Sequence, residues 1–172
     1  MAATYSLISS NVLTSTAASV TFSSIPSTYT DLVLRFSARN DIGATQRTVQ
    51  IEFNGSAGTA YSITAMSGNG ASASSNRLSA QASGFDSAGQ VPSGYTASTF
   101  SNVELYIPSY LASNNKAFSI TSTTENNSTT SYLFATAGLW SNTAAITQVK
   151  LTSNADNFVS GSSFYLYGIK NS

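Results

Sequence analysis

Seven carboxylates are the only groups in this 172-residue chain with an obvious claim to acid–base chemistry: Asp31, Asp41, Glu52, Asp86, Glu104, Glu125 and Asp156. Histidine and cysteine are both absent. Imidazole general-base catalysis, Ser-His-Asp hydrolysis, histidine or thiolate zinc sites and disulfides are thereby excluded. Two carboxylates can still cleave a glycosidic bond if they face each other across a cleft. Here the acids are scattered, most at turns or on the exposed phase of a strand, and none sits in a catalytic context. Calcium needs several oxygen ligands from loops, and "RNDIG" (39–43) and "SNADN" (153–157) are the two loops that supply Asp and Asn. Asn and Asp in turns ordinarily cap their own backbone. The expectation is no catalytic residue, no cofactor and no metal.

The aromatic residues carry more information. Phe22, Phe36, Phe53, Phe118 and Phe134 fall on core phases, whereas Tyr61, Tyr95, Tyr106, Tyr110, Tyr165 and Tyr167 fall partly on outer faces. In the closing run "SFYLYGI", Phe164 and Leu166 share one face while Tyr165, Tyr167 and Ile169 share the other. A strand apolar on both faces is either central in its sheet or meets another subunit. Tyr165, Tyr167, Ile169, Tyr95 and Tyr110 are therefore the candidate interface residues. Tyrosine also suits glycan stacking, but core or interface is the commoner use.

These residues must be positioned by strands. Apolar residues recur at period two in "SVTFSSI", "DLVLRFSAR", "TVQIEFNG", "NVELYIP" and "AFSITST". The pattern places Val20, Leu32, Leu34, Val49, Ile51, Val103, Leu105, Ile107 and Ile120 inward, and Arg35 and Arg39 outward. "NG" at 54–55 and "DIG" at 41–43 are turn signals, because Asn and Gly tolerate positive φ. About ten short strands, with no helix and no linker, predict one all-β domain spanning 1–172, a jelly-roll-like antiparallel β-sandwich. Residues 67–98 break the rhythm and read as a loop-rich excursion around one strand near Arg77 to Ser83.

Composition narrows the partners. Only 8% of residues are charged, against about 25% in an ordinary domain, and the formal net charge is zero. Such a chain has no electrostatic footprint for nucleic acid or an anionic membrane. Ser and Thr, roughly a third of the residues, supply its polarity. No basic-then-apolar leader and no run near ~20 apolar residues is present, so synthesis in a cytoplasm is expected. The sequons at 54–56 and 126–129 carry little weight in a sequence so rich in Ser and Thr.

The segment "TAGLWSNTAAITQVKLTSNADNFVSGSSFYLYGIKNS" resembles the carboxy-terminal strands of small β-sandwich virion proteins of tailed bacteriophages, especially those of aquatic hosts. Gly138, Trp140, Thr143, Ala145, Ile146, Phe158, Gly161, Ser162, Leu166, Tyr167, Gly168 and Ile169 match in order, and "SVTFSSIPSTYTDLVLRFSAR" resembles the opening strands of the same group. Together the two segments cover about a third of the chain; residues 60–130 match nothing of the kind. The resemblance implies a jelly-roll-like fold, a structural role in the virion and assembly as a homotrimer, without implying a ligand site. The expected function is a capsid decoration or cement protein that binds the major capsid protein on the capsid surface. The alternative is a tail-fibre tip that recognises host glycans through Tyr- and Asn-rich loops.

Overall fold

A computed structural model describes residues 4–43, 47–56, 58–125, 129–154 and 156–170, with the side chains of 86–88 left out. Period-two apolar runs build twelve strands: β1 (Tyr5–Val12), β2 (Ser19–Phe22), β3 (Asp31–Ser37), β4 (Arg47–Phe53), β5 (Tyr61–Gly68), β6 (Ala73–Gln81), β7 (Gly84–Gln90), β8 (Asn102–Ile107), β9 (Lys116–Glu125), β10 (Ser131–Trp140), β11 (Val149–Ser153) and β12 (Ser163–Ile169). No helix occurs among the described residues. One sheet has eight strands in the order β1-β12-β3-β8-β9-β10-β5-β6, and the other has four, β2-β11-β4-β7. All the strand pairings are antiparallel.

The chain is an antiparallel β-sandwich, as the alternation predicts. Setting aside the hairpins β5–β6 and β9–β10, the remaining eight strands enter one sheet in the order first, eighth, third, sixth and the other in the order second, seventh, fourth, fifth. That interleaving is compatible with a jelly roll. The two hairpins are inserted on the same side and double the width of one sheet.

The core lies between the sheets. Leu32, Leu34, Val49, Ile51, Phe53, Leu105, Ile107, Leu151, Phe164 and Leu166 are completely buried, as the period-two reading places most of them. Phe53, Tyr61, Phe118 and Trp140 form one aromatic cluster with ring centroids 5.5–6.4 Å apart. Phe36, Phe158 and Phe164 form a second. Two glycines of the closing segment are explained by close approach: a Cβ on Gly138 would lie 2.1 Å from the Phe118 ring, and one on Gly168 would lie 2.2 Å from Tyr29. Asn54 and Gly55 both have positive φ, at 55° and 62°, as their turn signal requires.

Three expectations are corrected. Residues 67–98 are mostly strand, because β6 and β7 occupy 73–81 and 84–90. β6 is the one strand expected there, displaced toward the N-terminus and with neither face buried, so no apolar alternation marks its bounds; β7 is the strand that the pattern missed. Tyr61 and Tyr110 are core residues, 1% and 0% exposed: Tyr61 lies on the inward phase of β5, and Tyr110 spends its hydroxyl on the carbonyl of Pro26. Arg39 is buried and not exposed on an outer face, because the loop of residues 93–99 lies over it and accepts hydrogen bonds from its guanidinium.

Candidate interaction faces

β12 lies between β1 and β3, so the closing strand is interior to its sheet. Its inward residues Phe164 and Leu166 fill the core, and on the opposite face Tyr165 and Tyr167 are half-buried while Ile169 is buried. The register brings neighbours beside them: Tyr5 is opposite Ile169, Leu7 opposite Tyr167, Tyr167 opposite Val33, and Val33 opposite Tyr106. Val33 is 2% exposed although it faces outward, so its flanking tyrosines cover it. Tyr5 and Leu7 stand 52% and 55% exposed at the margin. The Tyr106 hydroxyl donates to Asp31 Oδ2 at 2.8 Å, and that bond to a carboxylate, followed by desolvation, raises the phenol's pKa. The outer face of β1, β12, β3 and β8 is thus an apolar, tyrosine-rich patch on a rigid support.

Three of the five predicted interface residues meet on this face. Tyr110 lies in the core and Tyr95 lies elsewhere, while Tyr5, Leu7, Val33 and Tyr106 join the patch. Sequence reasoning missed Leu7 and Val33 because a strand pattern does not reveal which strands become neighbours.

Farther along the same sheet the outer face turns polar. Arg35 and Glu104 pair across β3 and β8 at 2.7 Å, and an open depression of about 460 Å³ lies over them, Asn102, Thr121 and Thr123. The two charged groups already satisfy each other.

The inner face of the wide sheet has a second open region. The edge strand of the small sheet, β7, packs on β9, β10 and β5 but leaves β6 uncovered. Phe134 and Tyr132 of β10 are consequently half-buried, although Phe134 has the phase of a core residue. With Ser67, Asn69 and Ser74 they line a depression of about 220 Å³. The Tyr95 hydroxyl reaches Tyr132, and burial followed by that hydrogen bond raises the Tyr95 pKa. Tyr95 belongs to a loop pinned by Arg39, which is 9% exposed. The Arg39 guanidinium donates to the carbonyls of Ser93, Tyr95, Thr96 and Thr99 at 2.8–3.2 Å. Sequence alone could have flagged Tyr132 by its type, but nothing local marks Arg39 as a loop anchor.

The loops considered for calcium do come together, and their oxygens are spent on nitrogen. Asp41 accepts from the Asn157 amide nitrogens of backbone and side chain at 2.9 and 2.8 Å, bonds that hold its carboxyl below the usual range. Asp156 takes Asn40 Nδ2 at 3.3 Å and lies 3.3 Å from Arg47 Nε in an ion pair. Among the described residues no three acids cluster as metal ligands. Asp31 and Glu52 are likewise engaged, by Ser109 N and Lys150 respectively. The Asp86 side chain and the sequon at 126–129 lie outside the described residues or side chains, except for Thr129. Asn54 of the other sequon donates its side-chain nitrogen to the Ala145 carbonyl and accepts from Thr147 N and Gln148 N at Oδ1, bonds that close a turn. No family model, curated protein or solved structure matches the chain.

Proposed function

We propose that the chain is a non-enzymatic structural protein of a bacteriophage virion, a decoration protein that binds the major capsid lattice as a homotrimer and reinforces the head. The observation that carries this reading is the apolar outer face of β1, β12, β3 and β8, where Tyr5, Leu7 and Tyr167 surround a covered Val33. Single exposed apolar residues are ordinary on a protein surface; a contiguous group on a rigid sheet marks an interaction face. The strand order compatible with a jelly roll and the resemblance of the closing segment support the same reading. Low charge agrees with it, because contacts to the lattice would rest on apolar area and hydrogen bonds.

The experiment is quantitative densitometry of purified virions carrying this protein. A decoration protein is expected at a copy number comparable to that of the major capsid protein, and its depletion should weaken heads against heat while adsorption stays normal. A few dozen copies confined to the tail, with lost adsorption on depletion, would replace this reading by a tail-fibre tip.

A further inference from the structure

The overhanging inner face at β10, β5 and β6 sets aromatic rings beside hydroxyl and amide groups. Its floor is two half-buried rings, Tyr132 and Phe134. Its rim is hydroxyl and amide: Ser67 and Ser74 bond each other across β5 and β6 at 2.8 Å. Asn69 Oδ1 accepts from Ala71 N and Ser72 N in the hairpin turn, which fixes the side chain in place. Among the described residues no charged side chain lines the depression.

The wall is built for rigidity. Burying a guanidinium is costly, and Arg39 offsets that cost with carbonyl oxygens from one short loop instead of a carboxylate. The guanidinium thus ties the carbonyls of Ser93, Tyr95, Thr96 and Thr99 to one point, with the Tyr95 hydroxyl reaching Tyr132. A loop that only connected β7 to β8 would not require such an anchor. A loop that must present a ring in one place benefits directly, since a fixed site loses less entropy when a ligand binds.

Beside the floor, Thr124 is opposite Tyr132 in the register. It is buried, and its hydroxyl has no hydrogen-bond partner among the described residues.

We propose that this cleft binds a neutral saccharide, one pyranose ring lying on Tyr132 and Phe134 while Ser67, Ser74 and Asn69 address its hydroxyls. The chemistry selects this class. Aromatic faces match the C–H faces of a sugar ring, and hydroxyls and amides match its equatorial groups. An uncharged lining gives nothing to a phosphate, a sialic acid or a basic peptide, and a depression this open does not enclose a lipid tail. The volume is below the roughly 300–1,000 Å³ of a drug-sized site, which suits a single ring of a longer chain. The inference does not rest on the virion reading, since a head protein and a tail tip can each carry such a cleft.

The test is titration of the ¹⁵N-labelled full chain, followed by NMR, with neutral glucan, galactan, mannan and chitin oligomers, each to millimolar concentration. Binding by at least one class is expected, with shifts concentrated at residues 67–74, 93–99 and 132–134. Tyr132→Ala should weaken it at least tenfold. Ser74→Arg, at an exposed edge position, should block the cleft without touching the core and serves as the control if Tyr132→Ala folds poorly. Arg39→Lys should weaken binding several-fold through loss of loop order. No binding by any class, binding that Ser74→Arg leaves unchanged, or a preference for a sialylated over a neutral glycan would each overturn the proposal.

Discussion

Gly138 shows how a single hydrogen in place of a methyl decides local packing. Phe118 lies over Gly138 on the paired strand, and its ring also faces Gly84 of the opposite sheet, where a Cβ would sit 2.6 Å away. The ring cannot retreat from one without meeting the other. Gly138→Ala should therefore cost about 1–3 kcal/mol by overpacking, read as a lower urea midpoint, and Phe118→Leu should recover part of the loss in a double-mutant cycle. Tyr61 offers a test of a different kind. Burial pushes its phenol up to about 12, against the Phe53 amide, which donates to the oxygen at 2.7 Å and pulls the other way. The fold favours the neutral phenol, so the contribution is whole below the ordinary value of 10.0 and is lost as pH rises from there through about 12. Lys116, whose ammonium is held by the carbonyls of Ala112 and Asn114 and whose pKa is lowered by desolvation, acts in the opposite sense. Comparing denaturant midpoints of the wild type and Tyr61→Phe between pH 10 and 12 isolates the tyrosine. The wild type should lose stability relative to the variant across that window, and a phenol titrating near 12 should appear in the ultraviolet absorbance.

At the scale of elements, the loop of residues 91–100 and the strand β6 represent two opposite solutions. The loop has little regular structure yet is ordered by one buried side chain, whereas β6 is a regular strand that buries nothing on either face. Arg39→Lys retains the charge but replaces a planar fork of five donors by an ammonium with three. Amides of the loop should then exchange with solvent at least tenfold faster in hydrogen-exchange measurements, while protection in β3 and β12 stays near that of the wild type. Unchanged exchange in the loop would mean that packing, and not the guanidinium, orders it. β6 and β1 are the two free edges of the wide sheet, and edges of this kind are open to pairing with another chain. A bulge where β6 pairs with β5, between Tyr61 and Ile63, and the positive φ of Ala80 at 56° distort the β6 edge near its end.

For the whole molecule, the two sheets differ in width, and that mismatch separates two faces with different chemistry. The outer face near β12 is apolar and suited to a second copy; the overhang on the inner face is aromatic and hydroxylated. If the first face drives assembly, Leu7→Asp should convert the proposed trimer to monomer in light scattering with little effect on the melting temperature, because Leu7 is 55% exposed within one chain. A trimer that survives this substitution would move the interface elsewhere. The closing strand belongs to both arguments, since its inward half completes the core beside Phe158 and its outward half carries Tyr165 and Tyr167.

The fold class was legible from residue order because burial of one sheet face imposes a period of two, and the runs around Val20, Leu34, Ile51, Leu105 and Ile120 show it plainly. The inward and outward halves of β12 followed from the same rule. The absence of histidine and cysteine excluded whole classes of chemistry before any contact was known. Tertiary structure decided the rest. Periodicity states which side of a strand is apolar but carries no information on which strands become neighbours, so the meeting of Leu7 with Tyr167 and of Tyr95 with Tyr132 was invisible. It also assumes that every inward face is covered. Phe134 has the phase of a core residue and remains half-exposed because the four-stranded sheet ends before reaching it. Arg39, two residues beyond the end of β3, is buried because its partners are carbonyls brought to it by a loop more than fifty residues away.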